Sequence, residues 1–318
     1  MEIELLDFWA PPGLQIVANS GERAYSEVLE FFTAQIRNRN TRTAYHQAVR
    51  NFFIWAENSG LQRLEAIKPI HVATWVELLG RSYAIPSVKL KLTAVMMLFD
   101  WLVVKQVVAT NPAKSVRSPR YSIQSGRTPV LSAQEARRLL DGIETKTVIG
   151  RRDKALVSLM LYTFVRVGAA LAIRLRDITV REHRLWVRLL EKGGKVHEMP
   201  CHHELEIALR AYSVDLESEA SDTFLFRSVS RTGRLTANRL YPANAYQRVQ
   251  HHAFSAGIEN HITSHSFRAT GITTYLLNKG SLEQAAKMAN HSSTRTTQLY
   301  DRRSDSVAVS EVERIRFE

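Results

Sequence analysis

The last third of the chain concentrates side chains that handle phosphate. His265-Ser266-Phe267-Arg268 sets an imidazole and a guanidinium three positions apart, His291 follows, and Tyr300 stands nine residues beyond it. Upstream, Arg166 ends the run Tyr162-Thr163-Phe164-Val165-Arg166, and Lys192 opens Lys192-Gly193-Gly194-Lys195. A guanidinium stays ionised at any working pH and offers a phosphoryl group two parallel hydrogen bonds that an ammonium cannot copy. When a phosphodiester is attacked, charge on its oxygens grows from one negative toward two, and groups that stabilise only the extra charge lower the barrier. A free phenol titrates near pH ~10, so it becomes a nucleophile when held among cations. Imidazoles move protons near neutrality, and an ammonium on a Gly-Gly turn has the reach to protonate a departing oxygen. No Asp-x-Asp pattern or carboxylate cluster accompanies these residues, which predicts a site without metal or cofactor. Singly, each residue has a plainer reading. Eleven histidines among abundant arginines make one His-x-x-Arg unsurprising, a lone tyrosine or histidine usually packs, and a turn lysine is usually solvated. The ordered set carries the weight.

The elements that must position these residues are legible from local signals. Ser132-Ala133-Gln134-Glu135 is a capping box with Leu131 placed as a hydrophobic staple, so a helix starts there. An apolar helix over 151–164 runs into Arg166. Leu185, Val187 and Leu189 alternate with polar neighbours as a strand, which enters a two-residue Gly-Gly turn and returns over Val196 to Pro200. Helices are expected at about 203–218, 242–256, 266–278 and 281–289, the last opened by a second capping box from Ser281 to Gln284. In the first half, Tyr25, Val28, Leu29, Phe32 and Ile36 form one helical stripe, and Tyr45, Val49, Phe52, Phe53 and Ala56 form another. Pro69 and Pro86 open two more helices. The pattern lapses into Pro, Ser, Arg and Gly between Asn111 and Pro129.

The expected fold is therefore mainly α with a small β-sheet. An N-terminal extension, 1–21, precedes an all-α domain over 22–117. A basic linker over 118–127 leads to a mixed α/β domain over 128–318, whose end, residues 304–316, reads as a short tail helix with Val309, Val312 and Ile315 apolar.

Composition agrees with a polyanionic partner. The 318 residues are 45% hydrophobic, and 43 Lys and Arg against 31 Asp and Glu leave a net charge of +12, with both halves basic. A single cysteine, Cys201, excludes an intramolecular disulfide and fits a reducing compartment. Cys201-His202-His203 lacks zinc-ligand spacing. The chain opens without a basic leader and carries no apolar run of membrane length, so a cytoplasmic protein with no membrane partner is expected.

In its order and setting this residue set resembles the tyrosine recombinase, or phage integrase, family. The match runs through Leu175-Arg176-Asp177-Ile178, the hairpin that closes with Met199-Pro200, the His-x-x-Arg box and the His291-to-Tyr300 interval, and spans most of the chain. The resemblance implies a DNA strand transferase, independent of metal and ATP, that clamps double-stranded DNA between a helical core-binding domain and a catalytic domain. It implies catalytic roles for Arg166, Lys192, His265, Arg268, His291 and Tyr300, with Lys195 the alternative if the hairpin register slips. Tyr300 would form a 3′-phosphotyrosine intermediate. Protomers would bind as a dimer per site and a tetramer in the synapse, with the tail docked on its own domain or on a neighbour; accessory proteins are not specified. Arg42, His46 and Arg50, four residues apart on one helical face, together with Lys89, Lys91 and Lys195, are the DNA-contact candidates. Phe164 stands where the family often has glycine, Ala169 where an acidic residue commonly follows the first arginine, and Asn290 where glycine usually precedes the histidine. Two alternatives share the resemblance: a type IB topoisomerase-like nicking-closing enzyme, and a catalytically idle DNA-binding regulator. The complete residue set argues against the idle protein, and the brief N-terminal domain favours recombination over relaxation.

Overall fold

The computed structural model describes residues 15–121, 126, 128–191, 194–217, 219–302 and 312–315. The chain forms two compact units, Met1–Ser122 and Ile123–Glu318.

The first unit is all helix among its described residues: α1 (Gln15–Ala18), α2 (Glu22–Glu30), α3 (Arg39–Asn58), α4 (Pro69–Ser82) and α5 (Ile85–Val104). Local chemistry fixes the starts. Asn38 caps α3 by accepting from the Asn40 and Thr41 amides at 3.0 and 3.2 Å, and prolines stand in the first turns of α4 and α5. The stripe expected across 24–37 is not one α-helix: α2 ends at Glu30 and a π-helical turn covers Phe31–Gln35. That wider turn accompanies the burial of two consecutive side chains, Phe31 and Phe32, whose rings meet edge to face at 5.0 Å. Phe52 of α3 lies at the centre of the unit, 4.9 Å from Trp75 and 6.4 Å from Phe99 between ring centroids.

One of the expected DNA contacts faces inward. His46 is 6% exposed, its ring meets that of Phe32 edge to face with centroids 5.5 Å apart, and burial, with Arg50 beside it, pushes its pKa down to about 4. The four-residue spacing places it on α3 between the solvated side and the core, and its small ring turns to the core, so it does not join a phosphate-facing ridge. Arg42 is half-buried and donates its Nε to the Ile36 carbonyl at 2.9 Å, and Arg50 is half-buried. Lys89 and Lys91 are half-buried on α5, with the Lys91 ammonium 4.7 Å from the Tyr83 ring, and Lys195 is exposed.

The second unit wraps helices around α7. Its elements are α6 (Ala133–Gly142), α7 (Val148–Thr163), α8 (Val167–Ala170), strands β1 (Ile178–Arg181), β2 (Arg184–Leu190) and β3 (Val196–Pro200), α9 (His203–Ser213), strands β4 (Arg227–Val229) and β5 (Leu235–Arg239), α10 (Pro242–Ser255), α11 (Ser264–Leu277), α12 (Leu282–Met288) and α13 (Thr294–Gln298). The capping box at Ser132 and Glu135 forms as expected. Strands β1-β2-β3 make an antiparallel sheet in that order. Leu185, Val187 and Leu189 point into the core while Arg188 and Leu190 face outward, the period-two alternation of a one-sided sheet. Glu182 and His183, both at positive φ, make the tight β1-β2 turn. The β2-β3 turn is longer than the Gly-Gly pair suggested. The Glu191 amide donates to the Lys195 carbonyl at 2.8 Å, leaving three positions between them, with Gly194 at φ 76° in the last. A left-handed glycine ending a three-residue loop is a standard hairpin solution and displaces the two-residue reading. Among the described residues no helix is long and apolar enough to cross a membrane.

Candidate active site

Two helix ends build the floor of the site. Helix α7 terminates at Phe164, which adopts the left-handed conformation (φ 56°, ψ 18°) although it is not glycine. Its ring is 3% exposed and packs with Ile272, Leu276, Ala285 and Ala289. Helix α12 terminates in the same manner. Asn290 at φ 48° follows the last turn, its amide bonds to the Lys287 carbonyl at 3.0 Å and that of His291 to the Ala286 carbonyl at 2.9 Å. This is a Schellman ending, with His291 in the position that closes it. Two of the positions where glycine was expected are thus left-handed helix ends carrying larger residues.

Both ends present a carbonyl to one guanidinium. Arg268, 1% exposed, donates Nη1 to the Phe164 carbonyl and Nη2 to the Ala289 carbonyl, the latter at 2.5 Å. Burial lowers its pKa to about 10, and the positive charge of Arg166 adds to that, while Glu191 and the Tyr300 phenol oppose it. Arg166, two residues past Phe164, is the N-cap of the short α8. Its Nη1 donates to Glu191 Oε2 at 2.7 Å, and 39% of its side chain remains exposed.

His265 and Arg268 share one face of α11 because three residues make nearly a full turn. The helix begins with Thr263, whose hydroxyl accepts from the His265 amide at 3.2 Å. The His265 imidazole has an open edge, yet partial burial and then the charges of Arg268 and Arg166 hold its pKa below the ordinary value. His291 is pushed down to about 4, first by burial and then by Arg268, Arg166 and His265. Its Nδ1 lies 2.8 Å from the hydroxyl of Thr297, a fully buried residue of α13.

Tyr300 follows α13 and is held by its backbone. Its amide donates to the Thr297 carbonyl and its carbonyl accepts from the Thr273 hydroxyl, each at 2.9 Å. The ring lies parallel to His291 within 8°, centroids 6.0 Å apart, and the phenol oxygen is 3.4 Å from His265 Nε2. Five of the six expected residues, Arg166, His265, Arg268, His291 and Tyr300, therefore converge from four segments. Lys192 lies outside the described residues, although its neighbour Glu191 is in the site.

Glu191 is what residue-type reasoning missed. The signal was present: continuing the inward alternation Leu185, Val187, Leu189 brings position 191 to the buried side. An acid at an inward position demands a cationic partner. Thr297 and Thr273 had no such signal, since a threonine on a helix is usually unremarkable. Cys201-His202-His203 is structural: the cysteine is buried, and His202 Nδ1 accepts from the Glu204 amide at the start of α9.

A family model described as the phage integrase family matches residues 129–306, which is more than half of the chain and contains every residue of the site. The chain belongs to the phage integrase family. A second model, the N-terminal SAM-like domain of phage integrases, matches residues 30–106. Among curated relatives, a tyrosine recombinase XerC from Xanthomonas campestris is 27% identical over 286 residues, covering 88% of this chain and 85% of the relative. A XerC from Escherichia coli is 25% identical over 257 residues, covering 80% and 81%. Among solved structures, the XerH site-specific recombinase bound to its difH substrate superimposes with a TM-score of 0.70 at 16% identity, covering 96% of both chains. A lambda integrase dimer bound to a core site gives 0.67 at 15% identity, over 92% of this chain and 99% of the other. At these identities the integrase structures establish a shared fold.

Proposed function

We propose that this phage integrase family member is a site-specific recombinase that cleaves and rejoins duplex DNA through Tyr300. The observation that carries the reading is the Tyr300 phenol standing 3.4 Å from the His265 imidazole and beside the Arg268 guanidinium, whose own neighbour is Arg166. In the forward step the Tyr300 oxygen attacks phosphorus, a 3′-phosphotyrosine bond forms, and the bond to the 5′ oxygen breaks. His265 Nε2 is placed to take the phenol proton. Arg166 and Arg268 hold the phosphoryl oxygens as their charge grows. His291 is neutral near pH 7, and in the tautomer whose Nδ1 accepts from the Thr297 hydroxyl its Nε2 proton can be donated to the phosphoryl group. Lys192 protonates the leaving 5′ oxygen. Attack by a 5′ hydroxyl on the phosphotyrosine reverses every bond change, so the energy of the broken diester is retained and neither ATP nor metal is required.

Binding to duplex DNA draws on the net charge of +12, with Arg42, Arg50, Lys89, Lys91 and Lys195 as phosphate contacts. The protomers act as a dimer on each site and a tetramer in the synapse. A nicked suicide duplex tests the chemistry: wild-type protein forms a covalent adduct in excess EDTA, and Tyr300→Phe binds equally but forms none. An adduct with Tyr300→Phe, or activity restored only by magnesium or manganese, overturns the mechanism. Relaxation of a plasmid that lacks any target site identifies a topoisomerase instead.

A further inference from the structure

Among its described residues the site includes a buried carboxylate, Glu191. Glu191 is 5% exposed, with Oε2 on Arg166 at 2.7 Å and Oε1 buried without a hydrogen-bond partner. Burying a carboxylate in this way is costly unless it answers a cation, so its partner is part of the reason it is there. Glu191 is also the first residue of the β2-β3 turn: its amide donates to the Lys195 carbonyl at 2.8 Å, and its carbonyl accepts from the Gly194 amide at 3.2 Å. The next residue in the chain is Lys192. Ala169, three residues after Arg166 and so on the same side of its turn, is where the family resemblance led us to expect an acid. Instead its methyl lines a cavity of about 190 Å³, together with Leu190 and Val196 from either side of the hairpin turn. There is space at 169 for a longer side chain, and the carboxylate that Arg166 meets comes instead from the hairpin.

We propose that Glu191 is a positioning residue for Arg166. It supplies from the hairpin the carboxylate missing at position 169, and it fastens the turn that bears Lys192 to the phosphate-binding arginine. Held at Nη1, the guanidinium has its remaining N–H groups free for a phosphoryl oxygen, and a planar donor fixed at one corner loses little further freedom on binding. The same carboxylate offsets the mutual repulsion of Arg166 and Arg268 before DNA arrives. The inference rests on the recombinase reading and adds to it a residue that does not touch the DNA.

The test uses the full chain and a nicked suicide duplex carrying the site that Tyr300→Phe protein selects from a random duplex pool. Glu191→Gln keeps the shape and removes the charge. DNA affinity should stay unchanged or tighten, because a negative charge has left a basic site, while single-turnover adduct formation falls about 10–100-fold. A residue that merely stabilised the fold would not separate those two readouts. Ala169→Glu in the Glu191→Gln background should restore most of the rate by returning a carboxylate to Arg166 from its own turn. Should Glu191→Gln lower the melting temperature, Glu191→Asp, which keeps the charge but shortens its reach, is compared with and without Ala169→Glu in the same way. Wild-type cleavage rates in Glu191→Gln overturn the proposal, and so does a folded double variant that regains nothing. A wild-type protein that forms no adduct overturns the recombinase reading itself.

Discussion

Restoring the family's usual glycine at position 164 should damage this protein. The left-handed backbone at Phe164 costs a residue with a Cβ about 1–2 kcal/mol relative to glycine. Against that, the ring is 3% exposed among Ile272, Leu276, Ala285 and Ala289 and meets Tyr275 edge to face at 6.4 Å. Truncating a buried phenylalanine costs about 3–5 kcal/mol. Packing wins, and Phe164→Gly should lose about 1–4 kcal/mol, a fall in melting temperature of roughly 2–16 °C for a unit of this size. Gly271 explains why the hole cannot be repaired nearby. A Cβ there would meet the Phe164 ring at 2.6 Å and also run into the Leu161 carbonyl, so Gly271→Ala still clashes with backbone when the ring is gone. Asn290→Gly is the matched control. Its backbone is also left-handed, but its side chain joins no apolar cluster and its Nδ2 is buried without a hydrogen-bond partner. That variant should be unchanged or more stable by up to about 1 kcal/mol. Thermal and urea unfolding of the full chain measure both variants. A Phe164→Gly protein that melts at or above the wild-type temperature would refute the packing account.

Arg268→Lys should slow single-turnover cleavage about 100–1,000-fold and lower the melting temperature as well, because one ammonium cannot brace the Phe164 and Ala289 carbonyls and still offer paired donors to phosphate. Normal cleavage by that variant would remove Arg268 from the site. Acid should weaken the fold through His46 and His291, whose folded pKa values of about 4 lie below an unfolded value near 6.5. The unfolded chain binds the extra protons, so this stability is full above about pH 6.5 and is lost as pH falls through about 4. His46→Gln should flatten the acid limb of unfolding curves recorded from pH 7 to 4; a limb as steep as wild type would mean that His46 is not the group. Deleting residues 305–318, most of which lie outside the described residues, should preserve binding to a single half-site and weaken cooperative occupancy of two. Val312 and Ile315 are 53% and 66% exposed, and gel-shift titration that found unchanged cooperativity would place the tail on its own domain.

Much of this molecule was determined by sequence because the governing interactions are local. The capping box at Ser132 and Glu135, the prolines that open α4 and α5, the alternation of Leu185, Val187 and Leu189 and the three-residue step from His265 to Arg268 depend only on neighbours along the chain. They set the helices, the strand and the face on which the site residues lie. The mainly α class with its small sheet followed from them. The β4-β5 hairpin escaped notice, because strands of three and five residues carry too little period to register. The three-residue β2-β3 turn was misread because Gly193-Gly194 satisfies two turn geometries, and only the pairing of Glu191 with Lys195 chooses between them.

What tertiary structure alone decided was which side chains answer one another across long stretches of chain. His46 turned inward because Phe32 of another segment meets its ring edge to face. Phe164 fits at a left-handed helix end because Gly271, 107 positions away in the sequence, leaves its backbone bare for the ring. Glu191 became the partner of Arg166 because the hairpin folds back on α8, where position 169 holds only a methyl group. Residue type and spacing report a chemical capability, but a buried charge or ring is tolerated only where its complement arrives, and that complement comes from elsewhere in the chain.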